Sequence, residues 1–294
     1  MAVAAPFVLK RPLSVEDAVA LLAEHGENAR VMAGGQSLTP LLTLGLAMPE
    51  VVISVDRCPG LGQIEVKEDS LRIGARVTTA QLASDTGVSR QFPLLATAAS
   101  HVGSPHVRNF GTVVGNICHA DPGSDLIPAL LCYNTSVLLR STDMQHQVPL
   151  DKFVVGPFST TADDSEMAVG LDVDGSPDSG WHHGYRKLVK RSGDLAMAIC
   201  ATNLQVKTGR VVRACVAIGG AVSRAQRLPA LEARLVGSEV VDAAEAAFRA
   251  DWSLDAGPDL MPEISAPADY LRSMLPRFIA STVGRAIEGC HSDE

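Results

Sequence analysis

The sequence predicts an α+β protein with two subdomains, over 1–58 and 59–175, and a small C-terminal α+β domain over 176–294 that contains an antiparallel sheet. Three observations predict this organisation. A capped helical pattern alternates with short apolar strands near the N-terminus. A polar stretch with glycines interrupts the apolar pattern shortly after residue 175. Beyond it, two apolar segments joined by a short turn have the pattern of a hairpin.

The first subdomain combines helices with short buried strands. A helix is predicted to begin after the capping residue Ser14 and to end at Gly26, because the apolar side chains between them recur at helical spacing. Apolar strands follow over 30–33 and 51–55, with a short helix over 41–46 between them. This order predicts a compact α+β unit whose first strand leads into a glycine-containing loop.

The second subdomain surrounds another glycine-containing stretch, over 109–125. Its predicted elements are strands over 70–75, 136–140 and 166–173, a helix capped by Thr78 or Thr79 that runs to Asp85, and helices over 93–102 and 126–132.

The C-terminal domain contains a basic run over 186–191, which is followed by the hairpin. Its predicted elements are strands over 196–206 and 211–218 joined by Lys207-Thr208-Gly209-Arg210, helices over 231–235 and 241–250, and a last helix that opens at Asp269 and is kinked by Pro276.

Composition excludes several classes of function. The 294 residues are 46% hydrophobic and carry a net charge of −8. A substantial core can therefore be buried, but a nucleic-acid partner is not expected. No apolar run is long enough to span a membrane, and the N-terminus lacks the pattern of a signal peptide. The six cysteines form no C-x-x-C motif, which favours reduced, mostly buried thiols in a cytoplasmic protein.

The stretch 109–125 has the residues of an anion-binding loop. Gly111 and Gly115 permit positive φ and close approach of a ligand, and Thr112 and Asn116 add side-chain donors. Two acids then close the stretch; they can accept hydrogen bonds from hydroxyl groups but would repel a phosphate. The stretch therefore predicts one end for phosphate and one end for a sugar-like chain, the alternative being a structural turn before a helix.

The stretch 31–38 offers a similar combination about eighty residues earlier. Gly34 and Gly35 permit close approach of the main chain, and Gln36 and Ser37 supply donors. An acidic protein must bind a pyrophosphate through local main-chain dipoles, since no general positive field attracts it. The two loops together therefore predict a single pyrophosphate site gripped from both sides.

The two loops resemble the motifs of a known family. The FAD-binding medium subunits of the molybdenum hydroxylases, the carbon monoxide dehydrogenase and xanthine dehydrogenase group, carry AGGQSL followed by TIGGN(x)xHADPxxDL. This sequence has Ala33-Gly34-Gly35-Gln36-Ser37-Leu38 and Thr112-Val113-Val114-Gly115-Asn116-Ile117-Cys118-His119-Ala120-Asp121-Pro122. The resemblance extends over nearly the whole chain, and the pair of loops is a specific signal.

The resemblance implies a two-subdomain FAD-binding fold of the vanillyl-alcohol-oxidase (PCMH) type that holds FAD without a covalent bond. It also implies a heterotrimer in which a molybdopterin-binding large subunit oxidises the substrate. A [2Fe–2S] small subunit then delivers electrons to this chain, which passes them to an external acceptor. The chain itself is expected to contribute no catalytic acid or base.

The cofactor-binding residues expected from the two loops and the resemblance are Met32, Ala33, Gly34, Gly35, Gln36, Ser37, Leu38, Thr112, Val114, Gly115, Asn116, Asp121, Asp125, Met167 and Lys187. Asp125 matches an acid that faces the hydroxyl-bearing chain of the cofactor; the alternative is an ordinary acid at a helix N-terminus. Lys187 matches a lysine near the flavin, where a cation stabilises negative charge on the reduced ring; the alternative is a solvated lysine. Asp121 could equally cap a helix, and Met167 could simply be an apolar strand residue.

One position departs from the family pattern. Val114 stands where the family usually has glycine, and a β-branched residue is strained at positive φ. Either the loop tolerates negative φ at this point or flavin binding is altered, and the intact surrounding pattern favours tolerance.

Two other functions are kept as alternatives. A flavin-free scaffold that only docks partner subunits would account for Val114, and a stand-alone FAD-dependent oxidase would need its own base and a larger substrate domain. A metal site is not predicted, because His101, His106 and His119 lack a standard zinc spacing.

Overall fold

The computed structural model describes residues 5–175, 180–191, 193–249, 260–261 and 267–288. Cys290 and Ala250, the last residue of a predicted helix, lie outside these residues. The predicted α+β class is confirmed, because helices accompany a 3-stranded, a 5-stranded and a 4-stranded sheet. Each of the three predicted segments contains one of these sheets; the exact boundaries at 58 and 175 stay predictions.

The first sheet is parallel and small. It consists of β1 (Val8–Lys10), β2 (Ala29–Met32) and β3 (Val51–Ser54), with β3 in the middle. Helix α1 (Val15–His25) begins as predicted, since the Ser14 side chain accepts a hydrogen bond from the N–H of Asp17 at 3.0 Å. Helix α2 (Leu38–Thr43) begins three residues before the predicted start, directly where the glycine loop ends.

The second sheet is antiparallel, in the order β4-β5-β10-β6-β7. Its strands are β4 (Ile64–Val66), β5 (Ser70–Gly74), β6 (Asn134–Arg140), β7 (Gln145–Pro149) and β10 (Met167–Asp174). The accompanying helices are α3 (Thr79–Ser84), α4 (Thr86–Gln91), α5 (Pro93–His101), α6 (Pro105–Phe110), α7 (Val113–His119), α8 (Leu126–Leu131) and α9 (Leu150–Phe153), with a hairpin of β8 (Val154–Gly156) and β9 (Ser159–Thr160). The edge strands β4 and β7 are absent from the sequence-based prediction because their outer positions are polar and exposed.

The third sheet carries the predicted hairpin. Its strands are β11 (Trp181–Leu188), β12 (Ala198–Lys207), β13 (Arg210–Gly219) and β14 (Gln226–Arg227), in that order. The turn between β12 and β13 has positive φ at Thr208 and Gly209, as a two-residue hairpin loop requires. Helices α10 (Pro229–Leu235), α11 (Val240–Phe248) and α12 (Ala268–Glu288) bury their apolar faces in one cluster with β12 and β13.

A close seam joins the C-terminal domain to α8. The N–H of Gly220 donates to the carbonyl of Pro122 at 2.7 Å, and a Cβ at Gly219 would lie 2.8 Å from Cγ of Pro128. Ile199 and Ala217 of the third sheet belong to the same buried cluster as Leu130 of α8. Beside this seam, β11 also contacts the segment that precedes α8, because Tyr185 and Lys187 both donate to Asp125.

Among the helices that the structure describes, none combines the length and the apolar character needed to cross a bilayer.

Candidate functional site

The first loop joins β2 to α2 and presents its main chain. Gly35 has φ +69, a conformation that favours glycine, and residues 31–38 are all half-buried. The main-chain N–H groups of residues 34–38 have no acceptor among the described residues, although these residues are partly shielded from solvent. Consecutive unpaired N–H groups of this kind form a cradle for an anion.

The second loop lies directly against the first. A Cβ on Gly34 would overlap the carbonyl oxygen of Phe110, and a Cβ on Gly111 would lie 3.5 Å from Cγ of Gln36. The prediction that the two distant loops converge is therefore confirmed. Glycine is needed at 34 because the main chains of the two loops touch there.

The conformation of the second loop differs from the prediction. Gly111 has φ −61, and Gly115 lies inside α7, so neither uses positive φ. Thr112 caps this helix, since its Oγ1 accepts from the N–H of Gly115 at 3.2 Å, and its hydroxyl is therefore occupied in capping. A Cβ at Gly115 would lie 2.7 Å from that oxygen, which explains the glycine by close contact with the cap.

Val114 is accommodated in the same helix. It lies in the first turn of α7 and is 2% exposed, in the same apolar cluster as Met167 of β10. Because its backbone is helical, the strain expected for a β-branched residue at positive φ does not arise. The main-chain N–H of Val114 has no acceptor among the described residues. Like the N–H groups of the first loop, it is available to hydrogen-bond a ligand.

The two acids of the stretch have different surroundings. Asp121 accepts from the N–H of Gly123 at 2.8 Å and so stabilises a turn; it does not cap α8. Ser124 does so, because its Oγ accepts from the N–H groups of Leu126 and Ile127 at 3.3 and 3.4 Å. The same hydroxyl donates to Oδ1 of Asn116 at 2.5 Å, which links α7 to the start of α8.

Asp125 stands at the N-terminus of α8, as the alternative expected, but it is buried between the two domains and paired with other side chains. It makes no capping bond to α8. Its Oδ2 accepts from Nζ of Lys187 at 2.8 Å and its Oδ1 accepts from the hydroxyl of Tyr185 at 2.5 Å. The side chains of Lys187 and Asp125 are 7% and 4% exposed. The alternative of a solvated Lys187 is therefore wrong.

Burial governs the titration of this cluster. Burial raises the pKa of Asp125 above its usual value, and the nearby Lys187 and Tyr185 oppose that shift. Burial beside the Asp125 carboxylate also raises the pKa of Tyr185, so the phenol stays protonated and remains a donor. The cluster thus combines a carboxylate, an ammonium and a hydroxyl in a nearly dry site.

Tyr185 and His101 belong to this cluster, although the sequence analysis predicts no contact with the cofactor for either residue. The His101 ring lies 5.0 Å from the ring of Tyr185, and the His101 carbonyl accepts from Nζ of Lys187 at 3.2 Å. The alternation of side chains along a strand could have indicated Tyr185. It lies two residues before Lys187 in β11, so both side chains point to the same face of the sheet.

Comparison with known proteins identifies the chain. Residues 5–173 match the model of the FAD binding domain in molybdopterin dehydrogenase, and residues 183–283 match that of the CO dehydrogenase flavoprotein C-terminal domain. The chain belongs to the family of FAD-binding medium subunits of the molybdenum hydroxylases. As a member of that family it is the flavoprotein subunit of a molybdenum-dependent oxidoreductase.

Individual members of the family are similar along their whole length. The medium subunit of nicotine 6-hydroxylase from Paenarthrobacter nicotinovorans is 33% identical over 278 residues, with 94% of this chain and 95% of the relative covered. The medium chain of carbon monoxide dehydrogenase from Hydrogenophaga pseudoflava is 31% identical, with 97% and 98% covered. A solved structure of the dehydrogenase from that organism superposes with a TM-score of 0.88 at 32% identity over 97% of this chain and 98% of that one.

The described residues contain no group of three or more side chains arranged to hold a metal ion.

Proposed function

We propose that this chain binds one FAD without a covalent bond in the cleft between its two glycine loops. In the proposal, the cofactor contacts Met32, Ala33, Gly34, Gly35, Gln36, Ser37, Leu38, Thr112, Val114, Gly115, Asn116, Asp121, Asp125, Met167 and Lys187. The observation that carries it is the run of unpaired main-chain N–H groups over residues 34–38, which lies against the second loop.

The donor set fits a dinucleotide whose charge sits on a pyrophosphate. The first loop has neutral donors and no basic side chain over 33–38, so main-chain amides would hold the phosphate oxygens. The unpaired N–H of Val114 adds a donor from the second loop. At the other end of the stretch, Asp125 would accept hydrogen bonds from the hydroxyl groups of the cofactor.

Lys187 would place a cation near the flavin ring. FAD supplies the redox chemistry when bound, because it accepts two electrons and releases them singly or in pairs. Lys187 would favour the reduced, negatively charged ring, and its pairing with Asp125 would fix the position of its ammonium group. No residue of the cleft is assigned the role of a catalytic acid or base.

We further propose that the chain is the electron-transfer subunit of a heterotrimer in the cytoplasm. It would receive electrons from a [2Fe–2S] small subunit and deliver them to an external acceptor, while a molybdopterin-binding large subunit oxidises the substrate. Family membership and similarity over the whole chain to medium subunits of such enzymes support this assignment. Purification of the assembly from its native host, with metal analysis for Mo and Fe, tests the partners.

The purified chain is expected to be yellow and to release FAD in equimolar amount on denaturation. FMN is expected to bind more weakly, because it lacks the pyrophosphate that the two loops grip. Flavin fluorescence after denaturation and titration of the flavin-free chain with each nucleotide measure both quantities. A folded, colourless chain with no affinity for added FAD would refute the proposal.

Replacing Val114 by glycine is expected to lower the free energy of unfolding by about 2–4 kcal/mol, because a buried side chain is lost and glycine weakens a helix. FAD affinity, measured by titration alongside urea unfolding, should not rise. A V114G variant that gains FAD, when the parent chain has none, would instead favour the flavin-free scaffold.

A further inference from the structure

The C-terminal domain reaches into the cleft with two donors on one strand. Tyr185 and Lys187 are two residues apart in β11, so both side chains project from the same face of the third sheet. Both donate to the carboxylate of Asp125, which belongs to the N-terminal part of the chain. The Asp125 carboxylate therefore links the second glycine loop to the C-terminal domain through two side chains, in addition to the main-chain hydrogen bond from Gly220 to Pro122.

The two donors fix the orientation of that carboxylate. The hydroxyl of Tyr185 holds Oδ1 at 2.5 Å and the ammonium of Lys187 holds Oδ2 at 2.8 Å. Tyr185 is 5% exposed and the Lys187 side chain is 7% exposed, so water cannot readily replace either donor. Each carboxylate oxygen can accept more than one hydrogen bond, which leaves acceptor capacity for a ligand.

The orientation of Asp125 is also tied to the second loop. Ser124, its neighbour, donates to Asn116 at 2.5 Å, and Asn116 lies one turn along the helix that Thr112 caps. Asp125 is therefore adjacent in sequence to the residue whose hydrogen bond connects α7 and α8. Without the Tyr185 hydroxyl, Oδ1 loses its donor and the carboxylate can rotate so that both oxygens share Lys187.

We propose that Tyr185 is a positioning residue for FAD: its hydroxyl holds Asp125 in the orientation in which the carboxylate accepts the hydroxyl groups of the cofactor. The inference rests on the proposed function, and it adds that FAD affinity depends on a side chain of the C-terminal domain. Tyr185 acts through Asp125 and is not itself assigned a contact with FAD.

Tyr185→Phe is the direct test, because it removes one oxygen and keeps the ring against His101. Titration of the flavin-free full chain with FAD is expected to show about tenfold weaker binding, which is the size of a hydrogen bond to a charged group. Tyr133→Phe is the matched control. The Tyr133 ring packs against that of Phe92, with centroids 5.4 Å apart, and it makes no hydrogen bond to Asp125 among the described residues, so this variant should bind FAD as the parent does.

The same substitution in an Asp125→Ala background, which leaves no side-chain oxygen for Tyr185 to hold, separates positioning from general loss of structure. Because Tyr185 acts through the carboxylate, Y185F should weaken FAD binding no further once Asp125 has been changed, and thermal unfolding confirms that each variant is folded at the titration temperature. An equal loss in both backgrounds, or a Y185F variant with parental affinity, would overturn the inference alone. A parent chain that binds no FAD would overturn the proposed function and this inference with it.

Discussion

Replacing Gly34 by alanine is expected to weaken FAD binding by about a hundredfold. The new Cβ would overlap the carbonyl oxygen of Phe110, so the two loops that form the cleft must move apart. Overpacking of this kind also lowers the free energy of unfolding by about 1–3 kcal/mol. Titration with FAD and urea unfolding of the flavin-free chain measure the two effects separately.

Gly62→Ala is the matched control for this experiment. A Cβ at Gly62 would have no heavy atom within 4 Å, and the residue is not at positive φ. Its substitution should leave both FAD affinity and stability unchanged. A G34A variant that behaves like G62A would mean that contact between the loops does not shape the cofactor cleft.

Replacing Lys187 by methionine is expected to lower the free energy of unfolding by about 3–5 kcal/mol at neutral pH, because it leaves the Asp125 carboxylate buried without its counter-ion. Burial already raises the pKa of Asp125, and loss of Lys187 removes one of the interactions that oppose this shift. A carboxyl group whose pKa is raised by folding contributes stability below its unfolded pKa of about 3.9 and loses it as pH rises through the folded pKa. The deficit of K187M should therefore be smallest in acid and grow towards neutral pH, as urea unfolding across a pH series would show.

Lys152→Met provides the comparison for a solvated lysine. The side chain of Lys152 is 75% exposed and lies 3.3 Å from Asp151, so its loss should change stability by less than about 1 kcal/mol at any pH. A K187M variant with an equally small, pH-independent effect would contradict the buried ion pair.

The parts of the fold that depend on neighbouring residues could be predicted from the sequence. Ser14 caps α1, Thr78 caps α3, and Thr208 and Gly209 form the hairpin turn, because each of these signals acts over a few residues. The convergence of the two glycine loops was also predictable, since neither loop can surround a ligand alone.

The local reasons for the glycines were harder to predict. Positive φ was expected at Gly111 and Gly115, but Thr112 starts a helix there, and glycine at 115 makes room for the capping hydroxyl. The surroundings of Lys187 depend on a partner 62 residues away in the sequence, and no local pattern indicates which acid an interdomain seam will place beside a lysine.

The neutral character of the first loop has a consequence for selectivity. An acidic chain repels dissolved polyanions over the range of its field, whereas amide dipoles act only on groups that come within hydrogen-bonding reach. An anionic ligand must therefore come within hydrogen-bonding distance of these amides before they can stabilise it. Because the loop has no lysine or arginine, we expect no long-range attraction of polyanions such as RNA towards it.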